Sequence, residues 1–194
     1  VAGGMFDIDA CAVAMDITSP DQLCTITGTW SINEFISPRP KLGTQVSMNS
    51  LYALPGYYLL EECSPTSAGN LEWVLEQLSG SLKLPQDQPL YDSVNQLAAS
   101  IAPEDCQVYY LPFLYGSNAH PLAKACFLGL TSYHTSAHML RAVFEGVAFS
   151  HRVHIDRLLT ARTTPAIVRM AGGAANSPVW VQMFADVLNL PIQR

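Results

Sequence analysis

Between residues 137 and 159 the chain carries one long helical stripe. Leu140, Val143, Phe144 and Val147 fall at the i, i+3, i+4, i+7 spacing, and Ile155, Leu158 and Leu159 continue it. A helix of that length runs about 35 Å at 1.5 Å per residue, enough to cross a whole lobe. Its apolar face has to be covered by a sheet or by further helices, so the rest of the chain must supply a broad layer. Ser136, just before the stripe, is a candidate N-cap.

The segments that could form that layer are spread along the whole sequence. LCTITGT (23–29), SINEFI (31–36), TQVSMNSLYAL (44–54) and GYYLLEE (56–62) have β-branched or aromatic content and are separated by Pro and Gly, as strands are. PAIVRMAGG (165–173) reads as a buried strand running into glycines, QVYYLPFL (107–114) alternates like a strand, and another strand starts in VLNLPIQR (187–194). Helices are expected at ACAVAM (10–15) with Asp9 as its cap, after the turn SPTSAGN (64–70), at SVNQLAASI (93–101), from Leu122 to about Leu130, and at VWVQMFADVL behind Ser177 and Pro178. Strands come first, then helices interleaved with strands, which is an α/β order with a mixed sheet.

Composition narrows the class. Of the 194 residues 49% are hydrophobic and 13% charged, enough apolar material for a substantial core and for a surface that lies against a partner domain. A formal net charge of −6 argues against a nucleic-acid footprint, which needs a basic face. The longest uncharged run, Leu42 to Leu60, holds Gly43, Pro55 and Gly56 and is no membrane span. The first residues, VAGGM, carry no signal segment, and both ends read as cut through a fold. Five cysteines, an odd count without a CxxC pair, point to reduced thiols and a cytoplasmic setting.

Three glycine-bearing turns sit at the ends of strand-like runs, where open α/β sheets place ligands. In AGGMFDIDA (2–10), Asp7 and Asp9 share a face if the segment is extended, and a carboxylate there can take the proton of a substrate hydroxyl; the plainer role for Asp9 is the helix cap. In TGTWS (27–31), Gly28 allows close approach of backbone to a phosphate and Thr29 adds a hydroxyl, although taken alone the segment is more simply an ordinary Gly-Thr hairpin turn. In AGGAANSPVW (171–180), Gly172 and Gly173 would let an adenine ring lie on the backbone with Asn176 at its edge; the alternative is a tight packing turn. The pattern is not GxGxxG, which disfavours a dinucleotide fold. His134 with His138 and His151 with His154 have helical spacing, but HTSAH lacks the Glu of HExxH, so no metal site is expected.

Residues 125–145, ACFLGLTSYHTSAHMLRAVFE, resemble the second signature of the FGGY carbohydrate kinases, with Ala125, Phe127, Gly129, Leu130, His138, Met139, Ala142, Val143, Phe144 and Glu145 fitting it. The details of AGGMFDIDACA, CTITGTWSINEF and EECSPTSAGN are most similar to the L-xylulose/3-keto-L-gulonate kinases of that family. The resemblance implies an actin-like (ribonuclease-H-like) ATPase lobe spanning 1–194 as the C-terminal FGGY kinase domain, with the N-terminal lobe absent. It implies ATP with Mg2+ and a sugar such as a ketopentose. It implies Asp9 as general base, Gly28 and Thr29 at the β- and γ-phosphates, and Gly173 and Asn176 at the nucleotide. A missing N-terminal lobe is the expected partner, with room for a homodimer. A non-catalytic or chaperone-like nucleotide-binding module of the same superfamily is the alternative, and so is a binding domain whose glycines serve only packing.

Overall fold

The computed structural model describes residues 4–78, 82 and 87–194. Its elements run α1 (Asp7–Ala14), β1 (Gln22–Thr27), β2 (Ser31–Ser37), β3 (Met48–Leu51), β4 (Tyr58–Ser64), α2 (Gly69–Leu78), α3 (Leu90–Ala99), β5 (Tyr109–Leu111), β6 (Cys126–Leu128), α4 (Ser136–Leu159), β7 (Ile167–Ala171), α5 (Pro178–Leu188) and β8 (Ile192–Gln193). Six strands form one mixed sheet in the order β3-β4-β2-β1-β7-β8. The first four are antiparallel neighbours, whereas β7 runs parallel to β1 and β8 parallel to β7. This mixed sheet flanked by helices is the actin-like architecture the resemblance implies.

The strands alternate between two faces, as a period of 2 demands. Leu23, Phe35 and Leu60 point into the main core with α2 to α5, while their neighbours Cys24, Ile36 and Leu59 point to a second core beneath α1. The long helix α4 buries Leu140, Val143, Phe144, Val147, Ile155 and Leu158 against the first face. Thr135, not Ser136, is its N-cap: the Thr135 hydroxyl and the His138 ring form a reciprocal capping box. Ser177 caps α5 by accepting from the Trp180 N–H at 3.1 Å, with Pro178 in the first turn, as the sequence indicates.

Two further expectations fail. The helix expected from Leu122 to Leu130 is instead β6, which pairs with β5 through Tyr110 opposite Phe127. Gly129 ends it at φ +83°, and a Cβ there would stand 2.6 Å from the Gln107 carbonyl oxygen. A local apolar pattern does not reveal that partner strand, about 17 residues back in the chain. The second failure is the chain start: residues 7 to 9 are not extended but form the first turn of α1, with Phe6 at the N-cap position, so Asp9 is not a cap. Among the described residues no helix is long and apolar enough to cross a membrane, and all five cysteines are free.

Candidate functional site

The register of β1 with β7 builds the site. Ile26 pairs with Ala171, so the turn after β1 and the turn after β7 leave the sheet side by side. Residues 28–30 join β1 to β2 as a three-residue hairpin loop. The Gly28 N–H is spent on the Trp30 carbonyl (3.3 Å), and the Gly28 carbonyl accepts from Ala68 N–H (2.8 Å). Among the described residues the N–H groups of Thr29 and Trp30 make no hydrogen bond, and Thr29 is exposed. The donors this turn offers a phosphate are therefore those of Thr29 and Trp30 rather than of Gly28 itself.

The second turn contains three glycine-related facts of different kinds. Gly172 has φ +92°, and a Cβ on it would lie 2.5 Å from the Thr27 carbonyl oxygen, so it is required by the approach of β7 to β1. Gly173 has no such constraint: a Cβ there meets nothing within 4 Å, and the same holds for Gly28. Gly173 to Asn176 form a single 3-10 turn leading to α5.

Gly173, Asn176 and Ala68 all line a cavity of about 330 Å³. That volume lies in the range of small-molecule sites. Its floor is aromatic: Trp180 stacks on Phe144 with ring centres 4.3 Å apart, and the indole N–H donates to the Phe144 carbonyl at 2.9 Å. Tyr91, Glu72 and Asp92 also line it. Ala68 joins the two parts of the site, because it lines the cavity and its N–H holds the Gly28 carbonyl. An apolar slot with polar groups at its margin, opening beside a turn with unspent N–H donors, suits a nucleotide lying base-in and phosphate-out.

The α1 carboxylates stand elsewhere. On a helix, residues two apart diverge by about 200°, so Asp7 and Asp9 do not share a face. Asp7 is exposed at the first position of α1, its Oδ1 accepting the Ile8 N–H at 3.0 Å. Asp9 is half-buried, its Oδ1 is enclosed without a partner, and burial raises its pKa. It faces the second core, across the sheet from the cavity, where Glu34 and Glu61 are paired on adjacent strands.

No N–H or O–H donor reaches either oxygen of Glu34. Burial, then Glu61, then Asp9 push its pKa up to about 8, and the weak Cys24 thiol donor counters only part of this. Glu61 is raised by burial too, offset partly by the Ser50 hydroxyl at 2.9 Å. This trio was not legible as a group in the sequence. The available signal was glutamate inside strands whose other residues are core-facing. Among the described residues no three His, Cys, Asp or Glu side chains are spaced to hold a metal ion.

The buried histidines are partnered rather than metal-directed. His154 Nδ1 lies 3.1 Å from Glu62 Oε2, and the His151 ring is hydrogen-bonded at both nitrogens.

The profile of the FGGY family of carbohydrate kinases, C-terminal domain, matches residues 23–194. Over 194 residues the chain is 36% identical to a Pasteurella multocida protein named probable L-xylulose kinase and 37% identical to the L-xylulose/3-keto-L-gulonate kinase of Escherichia coli (strain K12). It covers 38% and 37% of those proteins, so it spans well under half the length of the relatives it matches. The xylulose kinase from Rhodospirillum rubrum superposes with a TM-score of 0.83 at 27% identity, over 98% of this chain and 38% of that one. Plasmodium falciparum glycerol kinase with ADP superposes at 0.77 with 19% identity over 100% of this chain and 38% of that one, a likeness of fold alone.

Proposed function

The chain belongs to the FGGY family of carbohydrate kinases through its C-terminal domain, and from that premise we propose that it acts, within a longer protein, as the nucleotide-side lobe of an ATP-dependent sugar kinase. One observation carries the proposal. Gly28 and Gly173 are not required by the fold, yet Gly173 lines the aromatic-floored cavity and Gly28 is tied to it through Ala68, so a side chain at either would intrude on the path a nucleotide needs. Adenine would lie against Gly173 with Asn176 at its edge, and the β- and γ-phosphates at Thr29 and Trp30. Gly172 keeps the two turns in contact.

Phosphoryl transfer needs little covalent help from the protein: positioning and charge stabilisation supply most of the rate. The sugar hydroxyl oxygen attacks the γ-phosphorus, its proton passes to a carboxylate, and ADP departs. The sequence pattern gives the carboxylate role to Asp9. One fact supports Asp7 instead: it is exposed in the first turn of α1, and a base has to be reachable by the substrate hydroxyl. Asp9, with one oxygen enclosed beside other carboxyls, is the second reading. ATP brings Mg2+ as its own counter-ion, and no step of this chain's residues runs through it. The relatives named as L-xylulose kinases make a ketopentose the first substrate to try.

The test is ADP release by the complete protein across a ketose panel. Release dependent on one ketopentose or keto-sugar acid supports the proposal. ATP turnover indifferent to every sugar would instead support the chaperone-like module, and ATP binding without turnover the non-catalytic one.

A further inference from the structure

His151 lies on α4, fully buried, against the two strands that flank the 28–30 turn. Its Nδ1 is 2.9 Å from Asn33 Oδ1, 3.0 Å from the Thr25 hydroxyl and 3.2 Å from the Ser31 hydroxyl. Its Nε2 is 2.9 Å from the Ser67 hydroxyl. Asn33 also donates to the Ser31 hydroxyl at 3.3 Å and accepts from the Thr25 hydroxyl at 2.9 Å, which orients its amide with Oδ1 toward the ring. A carbonyl oxygen only accepts, so Nδ1 carries the proton and Nε2 accepts from Ser67. Burial holds the pKa of His151 down to about 3, so the ring stays neutral with this single tautomer.

The partners are not scattered. Thr25 is in β1 just before the hairpin turn, Ser31 is the first residue of β2 after it, and Ser67 precedes Ala68, whose N–H holds the Gly28 carbonyl. The same segment ends in Gly69, where a Cβ would stand 3.6 Å from the Thr29 methyl. One imidazole thus ties α4 to three segments that frame Gly28 and Thr29. Phe184 closes the pocket, edge-on to the ring with centres 5.1 Å apart.

We propose that His151 is a positioning residue for nucleotide binding: through Ser67 and Ala68 it fixes where the Gly28–Thr29 turn presents its donors to the phosphates. This rests on the reading of that turn as the phosphate site. The link that matters is Nε2 to Ser67, since it alone reaches the backbone that holds Gly28.

The test uses the complete protein with three variants at the link, two in the turn and one core control. Ser67→Ala removes the hydroxyl. His151→Asn keeps a donor near the Nδ1 position but no group near Nε2, whereas His151→Gln places its amide oxygen near Nε2 and can accept from Ser67. Ile155→Val, one turn further along α4, is a core control with no part in the network. Thr29→Ala and Gly28→Ala probe the turn itself. The expected result is that Ser67→Ala and His151→Asn raise KM for ATP about tenfold with KM for the sugar unchanged, and that His151→Gln restores it to near the parent value. Ile155→Val lowers the melting temperature but leaves both KM values alone. If Ser67→Ala and His151→Asn melt earlier yet keep the parent KM for ATP while Thr29→Ala or Gly28→Ala raises it, the His151 proposal is overturned and the phosphate turn stands. If neither Thr29→Ala, which removes only the hydroxyl, nor Gly28→Ala, which crowds the turn that carries the Thr29 and Trp30 N–H groups, raises KM for ATP, the phosphate-turn reading falls, and the proposal with it.

Discussion

The three glycines of the site separate packing from ligand binding. Gly172→Ala places a methyl 2.5 Å from the Thr27 carbonyl oxygen at φ +92°. The backbone strain costs about 1–3 kcal/mol and the forced shift of β1 about another 1–3. At roughly 2–4 °C per kcal/mol for a domain of this size, melting falls by about 4 °C or more. Gly28→Ala and Gly173→Ala meet no atom within 4 Å and need no positive φ. They leave melting unchanged or raise it slightly, since alanine restricts the unfolded chain by about 0.4–1 kcal/mol.

Their cost falls on the ligand. A methyl that displaces the nucleotide far enough to break one hydrogen bond to a charged phosphate removes about 1.5–3 kcal/mol, or roughly tenfold to a hundredfold in Kd. At ATP one hundred times the parent Kd, the ligand stabilises by about 2.7 kcal/mol. A hundredfold weaker Kd leaves about 0.4 kcal/mol of that. Thermal melting of the complete protein with and without MgATP reads both effects. Gly28→Ala and Gly173→Ala should keep the apo midpoint and lose most of the ATP shift, while Gly172→Ala lowers the apo midpoint. Should Gly28→Ala and Gly173→Ala retain the full ATP shift, these glycines are not at the nucleotide and the argument is refuted.

Asp7→Asn should reduce sugar-dependent turnover by orders of magnitude with ATP binding intact, measured by steady-state kinetics and calorimetry; if Asp9→Asn does so and Asp7→Asn does not, the base is Asp9. Glu34 bears on pH. Its folded pKa is raised from 4.5 to about 8, so its contribution is fully present below 4.5 and is lost as pH rises through about 8. Glu34→Gln should therefore gain stability over the parent as pH climbs from about 5 to 8, on the order of a few kcal/mol at the upper end, read from denaturant midpoints; a constant difference across that range would contradict it. Gly129→Ala should destabilise the β5–β6 hairpin, since its Cβ would meet the Gln107 carbonyl, and lower the melting point by several degrees, roughly 2–4 °C per kcal/mol.

What the sequence made legible follows from how local each signal is. The α4 stripe repeats over 24 residues and was placed to within one residue, and the Ser177–Pro178 start of α5 is set by chemistry within three residues. β6 was misread because its structure depends on β5, a partner that periodicity cannot see. An error of a few residues at the start of α1 mattered more, since it turned Asp7 and Asp9 from one face to two. The two glycine turns were found individually, but their contact arises from the parallel register of β1 and β7. The Asp9–Glu34–Glu61 group and the His151 network draw on three or more elements each, so no spacing along the chain announced them.

The central claim places one nucleotide across both turns. A structure of the complete protein with a non-hydrolysable ATP analogue tests it most directly. The account predicts the base in the cavity against Gly173 and Trp180, with the terminal phosphates within hydrogen-bonding distance of the Thr29 and Trp30 N–H groups. An analogue bound with its phosphates away from residues 28–30, or its base outside that cavity, would contradict it.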